Sequence, residues 1–123
     1  MPVRSLTSSV FKWPKAEDVD RAVRRWAQKV GRERPEVLRI GYIGSYARGD
    51  WGVGSDLDVL ILVEWSARPF AERASEWDTA ELPVPTDVWV YTRDEWQAMA
   101  TRGSRFYREA EQEAVWVYTK RKV

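Results

Sequence analysis

The sequence has no cysteine and no histidine among its 123 residues. Without cysteine there is no disulfide framework and no thiol redox chemistry. Without histidine as well, zinc sites, Ser-His-Asp triads, Cys-His pairs and histidine acid–base catalysis are excluded. A metal, if one is used, must be held by oxygen, which favours magnesium, manganese or calcium. Net charge is also scarce, at +1. That argues against a general binder of nucleic-acid backbones and against a polybasic membrane anchor. No apolar run approaches the length of a membrane span, and the N-terminal residues show no signal-peptide apolar region. The expectation is a cytoplasmic chain. With 44% hydrophobic and 32% charged residues, it reads as one globular domain over residues 1–123, long enough to bury a core.

What is present is concentrated between Ile40 and Val63, I-G-Y-I-G-S-Y-A-R-G-D-W-G-V-G-S-D-L-D-V-L-I-L-V. Two apolar runs rich in Val and Ile, bounded by glycines, read as buried strands. Between them Gly44, Gly49, Gly52 and Gly54 permit turns and close approach of a ligand to the backbone. The second run opens on Asp56-Leu57-Asp58. Strand side chains alternate, so the two carboxylates share a face and Leu57 points into the protein. Like charges so placed repel unless a cation lies between them. A hard divalent metal beside a glycine-cushioned loop is the implied chemistry.

Along the chain, residues 1–13 read as an arm or an edge strand. Val19, Ala22, Val23, Trp26, Ala27 and Val30 recur at helical spacing, with acidic residues ahead of them. This predicts an amphipathic helix over about Ala16–Val30, ending near Gly31 and Pro35. Its arginines read as a solvated face, and no direct nucleic-acid binding is expected. Val37–Ile43 predicts a central strand, and Tyr46-Ala47-Arg48 a short helical turn starting at Gly44-Ser45. Free N–H groups at such a start can receive phosphate, although Gly-Ser is equally the composition of a tight turn. Helical spacing of Phe70, Ala71, Ala74 and Trp77 predicts a helix over about Ala67–Trp77. Thr86–Tyr91 reads as a strand with Asp87, Trp89 and Tyr91 on one face. Helices over about Arg93–Ala100 and Ser104–Gln112 and a short strand over Ala114–Tyr118 complete the pattern. Asp87 is a charge opening an apolar strand. It is either a turn residue or a third carboxylate beside the Asp56–Asp58 pair, as two-metal phosphoryl chemistry requires.

Other readings of D-x-D fit less well. An EF-hand loop from Asp50 would need oxygen ligands at Gly52 and Gly54 and an acid at Ile61. No P-loop motif is present. A glycosidase carboxylate pair stays open, though such carboxylates normally sit apart in a sugar cleft.

Gly44-Ser45, ten intervening residues and then Asp56-Leu57-Asp58 resembles the signature of the DNA polymerase β-like nucleotidyltransferase superfamily. G-S-Y-A-R-G-D-W-G-V-G-S-D-L-D-V-L-I-L resembles more closely the minimal nucleotidyltransferases, antitoxin partners of HEPN ribonuclease toxins. The resemblance covers about Val19–Tyr118. It implies an α/β (α+β) nucleotidyltransferase fold, a mixed β-sheet with helices packed on one face. It also implies roles for residues. Gly44 and Ser45 would grip a nucleoside triphosphate, ATP by analogy, with Arg48 as a phosphate contact or loop brace. Asp56 and Asp58 would bind two Mg2+ ions, and Asp87 would complete the shell of the catalytic one. The reaction implied is AMP transfer (AMPylation) to a tyrosine of a helical HEPN-type toxin, within a homo- or hetero-oligomer. This chain cannot itself be that toxin, whose ribonuclease motif needs histidine. Two alternatives remain. One is a non-enzymatic antitoxin that masks its partner. The other is an antibiotic nucleotidyltransferase that borrows a helical partner, since this chain leaves no room for a drug-holding helical domain.

Overall fold

Acidic residues at one end of a 3.6-residue apolar stripe start a helix well, because they offset the exposed N–H groups there. In the structure, a computed structural model that describes residues 13–121, α1 spans Ala16–Glu33 with Glu17 and Asp18 in its first turn. Val19, Val23, Trp26 and Ala27 are its buried face, and Arg21, Arg24 and Arg25 are exposed as expected. The expectation for residues 1–13 falls, apart from Trp13, outside the described residues. Trp13 donates its indole N–H to Tyr46 Oη at 2.9 Å.

The helix ends between Gly31 and Pro35, as expected, but passes through the glycine to do so. It runs through to Glu33 and is capped by Arg34 in extended geometry. Gly31 is there for space. A Cβ on it would stand 2.3 Å from Tyr118 Cζ, so the glycine lets the last strand pack flush on the helix.

The remaining elements are β1 (Val37–Ile43), α2 (Ser45–Arg48), β2 (Leu57–Val63), α3 (Phe70–Arg73) with a 3₁₀ turn Ala74–Glu76, β3 (Thr86–Thr92), α4 (Arg93–Thr101), α5 (Arg105–Glu113) and β4 (Val115–Thr119). The long helix expected over Ala67–Trp77 is only α3 and its 3₁₀ turn. Arg68 precedes Pro69, and a residue before proline is pushed out of helical geometry, so the start slips to Phe70. Extended Trp77 closes the end. The buried face also differs, since Arg73 and Trp77 are buried whereas Phe70, Ala71 and Ala74 are exposed.

The four strands form a mixed sheet in the order β3-β2-β1-β4, with β1 antiparallel to β2 and β4 and with β2 parallel to β3. β2 reads L-D-V-L-I-L-V and is buried along nearly its whole length. A strand apolar on both faces needs cover on both. Leu57, Val59, Ile61 and Val63 pack with α1 in one core. Leu60 and Leu62 pack with Trp96, Met99 and Ala110 of α4 and α5 in the other. The mixed sheet agrees with the sequence-based expectation, but the helices are divided between its two faces instead of sharing one.

Candidate functional site

Strand directions decide which residues meet. β1 ends where β2, β3 and β4 begin, so one end of the sheet collects Ile43, Asp58, Asp87 and Val115 in pairing register: Ile43 opposite Asp58, Asp58 opposite Asp87, and Tyr42 opposite Val115. Asp58 shares parity with Leu60 and Leu62, and thus the α4–α5 face of the sheet. Asp87 shares parity with Trp89 and Tyr91 on that same face. The parallel ladder starts just outside the strands, where Leu57 N–H donates to Pro85 O at 2.8 Å. The register holds as a consequence of the apolar pattern, because a one-residue slip would turn Asp58 into the α1 core.

Asp56 lies immediately ahead of β2, not within it, and is exposed like Asp87, while Asp58 is half-buried. Burial pushes the Asp58 carboxyl above its ordinary value of 3.8, the Asp87 and Asp56 charges add to that, and Trp89 and Arg48 oppose it. The Trp89 indole N–H reaches Asp58 Oδ1 at 3.5 Å, the outer limit of a hydrogen bond.

The turn after β1 presses against these carboxylates. Gly44 has φ +80°, and a Cβ on it would lie 2.5 Å from Asp58 Oδ2, so conformation and space both require glycine there. Gly44 O accepts from Ala47 and Arg48 N–H at 3.0 Å each, which closes α2. The first amides of such a turn, at Ser45 and Tyr46, have no acceptor within it. The loop that follows is braced by Tyr46 stacked on Trp51 at 5.4 Å and by Gly52 N–H donating to Ser55 Oγ at 2.8 Å. Arg48 extends from the turn to Asp50 at 3.2 Å and to Glu113 at 3.5 Å. All six residues singled out in the sequence, Gly44, Ser45, Arg48, Asp56, Asp58 and Asp87, thus lie at one end of the sheet.

Two further residues of this end escape sequence reasoning. Trp89 was legible as sharing a strand face with Asp87 and Tyr91, but no role was read for it, and the pairing of β2 with β3 is what puts it beside Asp58. Glu113, the last residue of α5, accepts from Gly44 N–H through Oε2 at 2.7 Å. Its one signal in the sequence is an acid at a helix C-terminus, where the dipole disfavours it.

The donors are hard oxygens and their charges repel one another, which suits a divalent cation. They are gathered loosely, however. Among the described residues no three carboxylate, histidine or cysteine side chains are close enough to enclose a metal ion. A surface hollow of about 580 Å³ lies elsewhere, at the opposite end of the sheet against Leu38, Leu62 and Trp96. None of the six residues lines it. It has an apolar floor, and its Glu64 is tied to Arg93 at 2.9 Å.

A family model described as "Nucleotidyltransferase domain" matches residues 23–117, more than half of the chain. No protein of curated function matches. Among solved structures, a Sulfolobus solfataricus protein described as a candidate nucleotidyltransferase superposes with TM-score 0.60 at 16% identity over 85% of this chain and 84% of that one. A toxin–antitoxin structure with AMP-PNP gives TM-score 0.52 at 18% identity, over 80% of this chain and 74% of that one. A variant of the toxin–antitoxin pair MntA-HpeT gives 0.51 at 15% identity, with the same shares covered. At these identities the likeness is one of fold.

Proposed function

The chain belongs to the nucleotidyltransferase-domain family, and from that premise we propose that it transfers AMP from ATP to a hydroxyl of a protein partner. The acceptor is a tyrosine of a helical HEPN-type toxin, for which the chain acts as antitoxin. The observation that carries this reading is the meeting of Gly44 with Asp58 at the mouth of the β2–β3 pair, where Asp58 faces Asp87. A phosphate-binding turn and a carboxylate set are useful together only if a phosphate sits between them. The fold is shared with toxin–antitoxin structures, one of them with AMP-PNP, which supports the choice of partner and nucleotide.

Each residue then has a task. Gly44 and Ser45 hold the phosphate chain through the turn's N–H groups and the Ser45 hydroxyl, and Arg48 adds a guanidinium. Asp56, Asp58 and Asp87 are the residues that would hold two Mg2+ ions. Such ions, when bound, supply neutralisation of phosphate charge and a lowered pKa for the attacking hydroxyl. That hydroxyl needs help, because a tyrosine ordinarily titrates near 10. Asp87 is exposed on an edge strand. Its carboxylate therefore stands where an acceptor can approach and can take the hydroxyl's hydrogen bond. The Trp89 indole N–H faces Asp58 Oδ1 at 3.5 Å.

One observation favours a second reading, an antitoxin that masks its partner without catalysis: among the described residues no three acidic side chains are grouped closely enough to hold a metal ion. The deciding experiment mixes the protein with the product of the neighbouring gene, Mg2+ and ATP labelled at the α-phosphate. Label should pass to the partner. Asp58→Asn should abolish both nucleotide binding and transfer, and Asp87→Asn should lower transfer far more than binding. No transfer by the wild type, with the toxin still neutralised by Asp56→Asn, Asp58→Asn and Asp87→Asn, would decide for masking.

A further inference from the structure

α5 ends E-Q-E, with no basic residue in its last turn. The C-terminal end of a helix carries partial negative charge, so a carboxylate at Glu113 is misplaced by the helix's own electrostatics. What holds it there is a pair of donors from another part of the chain. Oε2 accepts from Gly44 N–H at 2.7 Å, and Oε1 lies 3.5 Å from the Arg48 guanidinium. A carboxylate held by a backbone N–H and a guanidinium has the same recognition chemistry as a phosphate oxygen. These two donors are ones the proposed function gives to the triphosphate.

We propose that Glu113 is a built-in competitor for phosphate, which occupies the Gly44–Arg48 donor pair in the free protein and is displaced by the triphosphate or by pyrophosphate. The inference rests on the reading of Gly44 and Arg48 as phosphate-binding groups. One N–H cannot serve two anions at full strength, and two anions pressed together repel each other. Displacement is mechanically simple. The Glu113 side chain is 26% exposed and can turn into solvent without moving α5. The Gly44 N–H is never left buried without an acceptor, which would be costly, because one anion replaces the other. Glu113 therefore lowers the affinity for anions and speeds the departure of pyrophosphate after transfer.

The test compares wild type, Glu113→Gln and Glu113→Ala by calorimetric titration with magnesium pyrophosphate and with MgATP. Removing a charged competitor should tighten binding in Glu113→Ala by ~10-fold. Glu113→Gln keeps a neutral acceptor and should fall between. If Glu113→Ala folds poorly, the glutamine variant alone still shows the trend. A second readout is the Gly44 amide proton by NMR. In Glu113→Ala its signal should move upfield and return on adding pyrophosphate, whereas in wild type pyrophosphate should shift it little. Wild-type binding with equal or weaker binding by both variants would overturn the proposal and leave the nucleotide reading standing. Absence of binding in all three proteins would remove the phosphate site itself, and the proposal with it.

Discussion

Asp58 carries an electrostatic cost in the folded protein. Burial, with Asp87 and Asp56 nearby, raises its carboxyl above 3.8. A carboxyl raised on folding favours the folded state below its ordinary value, and that benefit is lost as pH rises through the raised one. At neutral pH the ionised form is therefore destabilising. Asp58→Asn should raise the thermal midpoint of the metal-free protein at pH 7 by a few degrees, since ~1 kcal/mol moves a domain of this size by about 4 °C. The gain should shrink below pH 4. Added Mg2+ should stabilise the wild type, by ~1.4 kcal/mol at ten times its Kd, and leave the variant unmoved. Thermal denaturation followed by circular dichroism checks all three. The Asp56–Asp58 pair and Gly44-Ser45 were readable because their chemistry is local, two acids two residues apart and a glycine at a strand end. Glu113 was not, because its partner lies 69 residues away and no local pattern encodes that.

Elements were legible where packing and local propensity agree. α1, β1, α4 and α5 follow from apolar spacing and from caps such as Thr92, which takes the Glu95 N–H while Glu95 takes that of Thr92. Where tertiary space overrides propensity, the reading falls short. Gly31 inside α1 costs about 1 kcal/mol of helix propensity relative to alanine and is kept for the Tyr118 ring. Gly31→Ala should therefore lose stability, by ~1–2 kcal/mol in urea unfolding, because overpacking outweighs the helix gain. A stabilised variant would mean that the ring swings aside. The α3 segment is held less by apolar burial than by Arg73. The residue is 5% exposed, and its guanidinium donates to Arg68 O at 2.8 Å, Val90 O at 3.1 Å and both Glu95 carboxylate oxygens at 2.6 and 3.0 Å. The bond from Arg73 holds the Glu95 carboxyl below 4.5. A carboxyl lowered on folding stabilises above its ordinary value, and that stability is lost as pH falls through the lowered one. Arg73→Lys cannot make the fork. It should cost ~2–3 kcal/mol at pH 7, less than a fully buried pair because Glu95 is partly exposed, and the deficit should narrow as pH falls below 4.5.

At the scale of the whole molecule, the mixed sheet could be anticipated, but its strand order could not. Nothing local says that β4 returns to pair with β1, or that α1 and the α4–α5 pair take opposite faces. The apolar surface left over is specific. Trp65 is 63% exposed, Phe70 41% and Trp89 36%, and Trp89 adjoins the carboxylates. A partner carrying the acceptor hydroxyl would cover Trp89, so Trp89→Ala should weaken complex formation about 10-fold or more, as for a central aromatic in an interface. Light scattering and titration with the partner measure this, and an unchanged affinity would move the interface elsewhere. The parallel pairing of β2 with β3 also governs when the site comes into being. Asp58 and Asp87 stand in register, yet the chain between them must leave one end of the sheet, cross it and return before they can meet. Closing such a loop is entropically unfavourable until the ladder zips, and long-range parallel pairing is slow to form. A nascent chain would thus lack the means to handle a nucleotide until Asp87 has been made and β3 has paired with β2, however complete the packing of α1 on β1 and β2 already is.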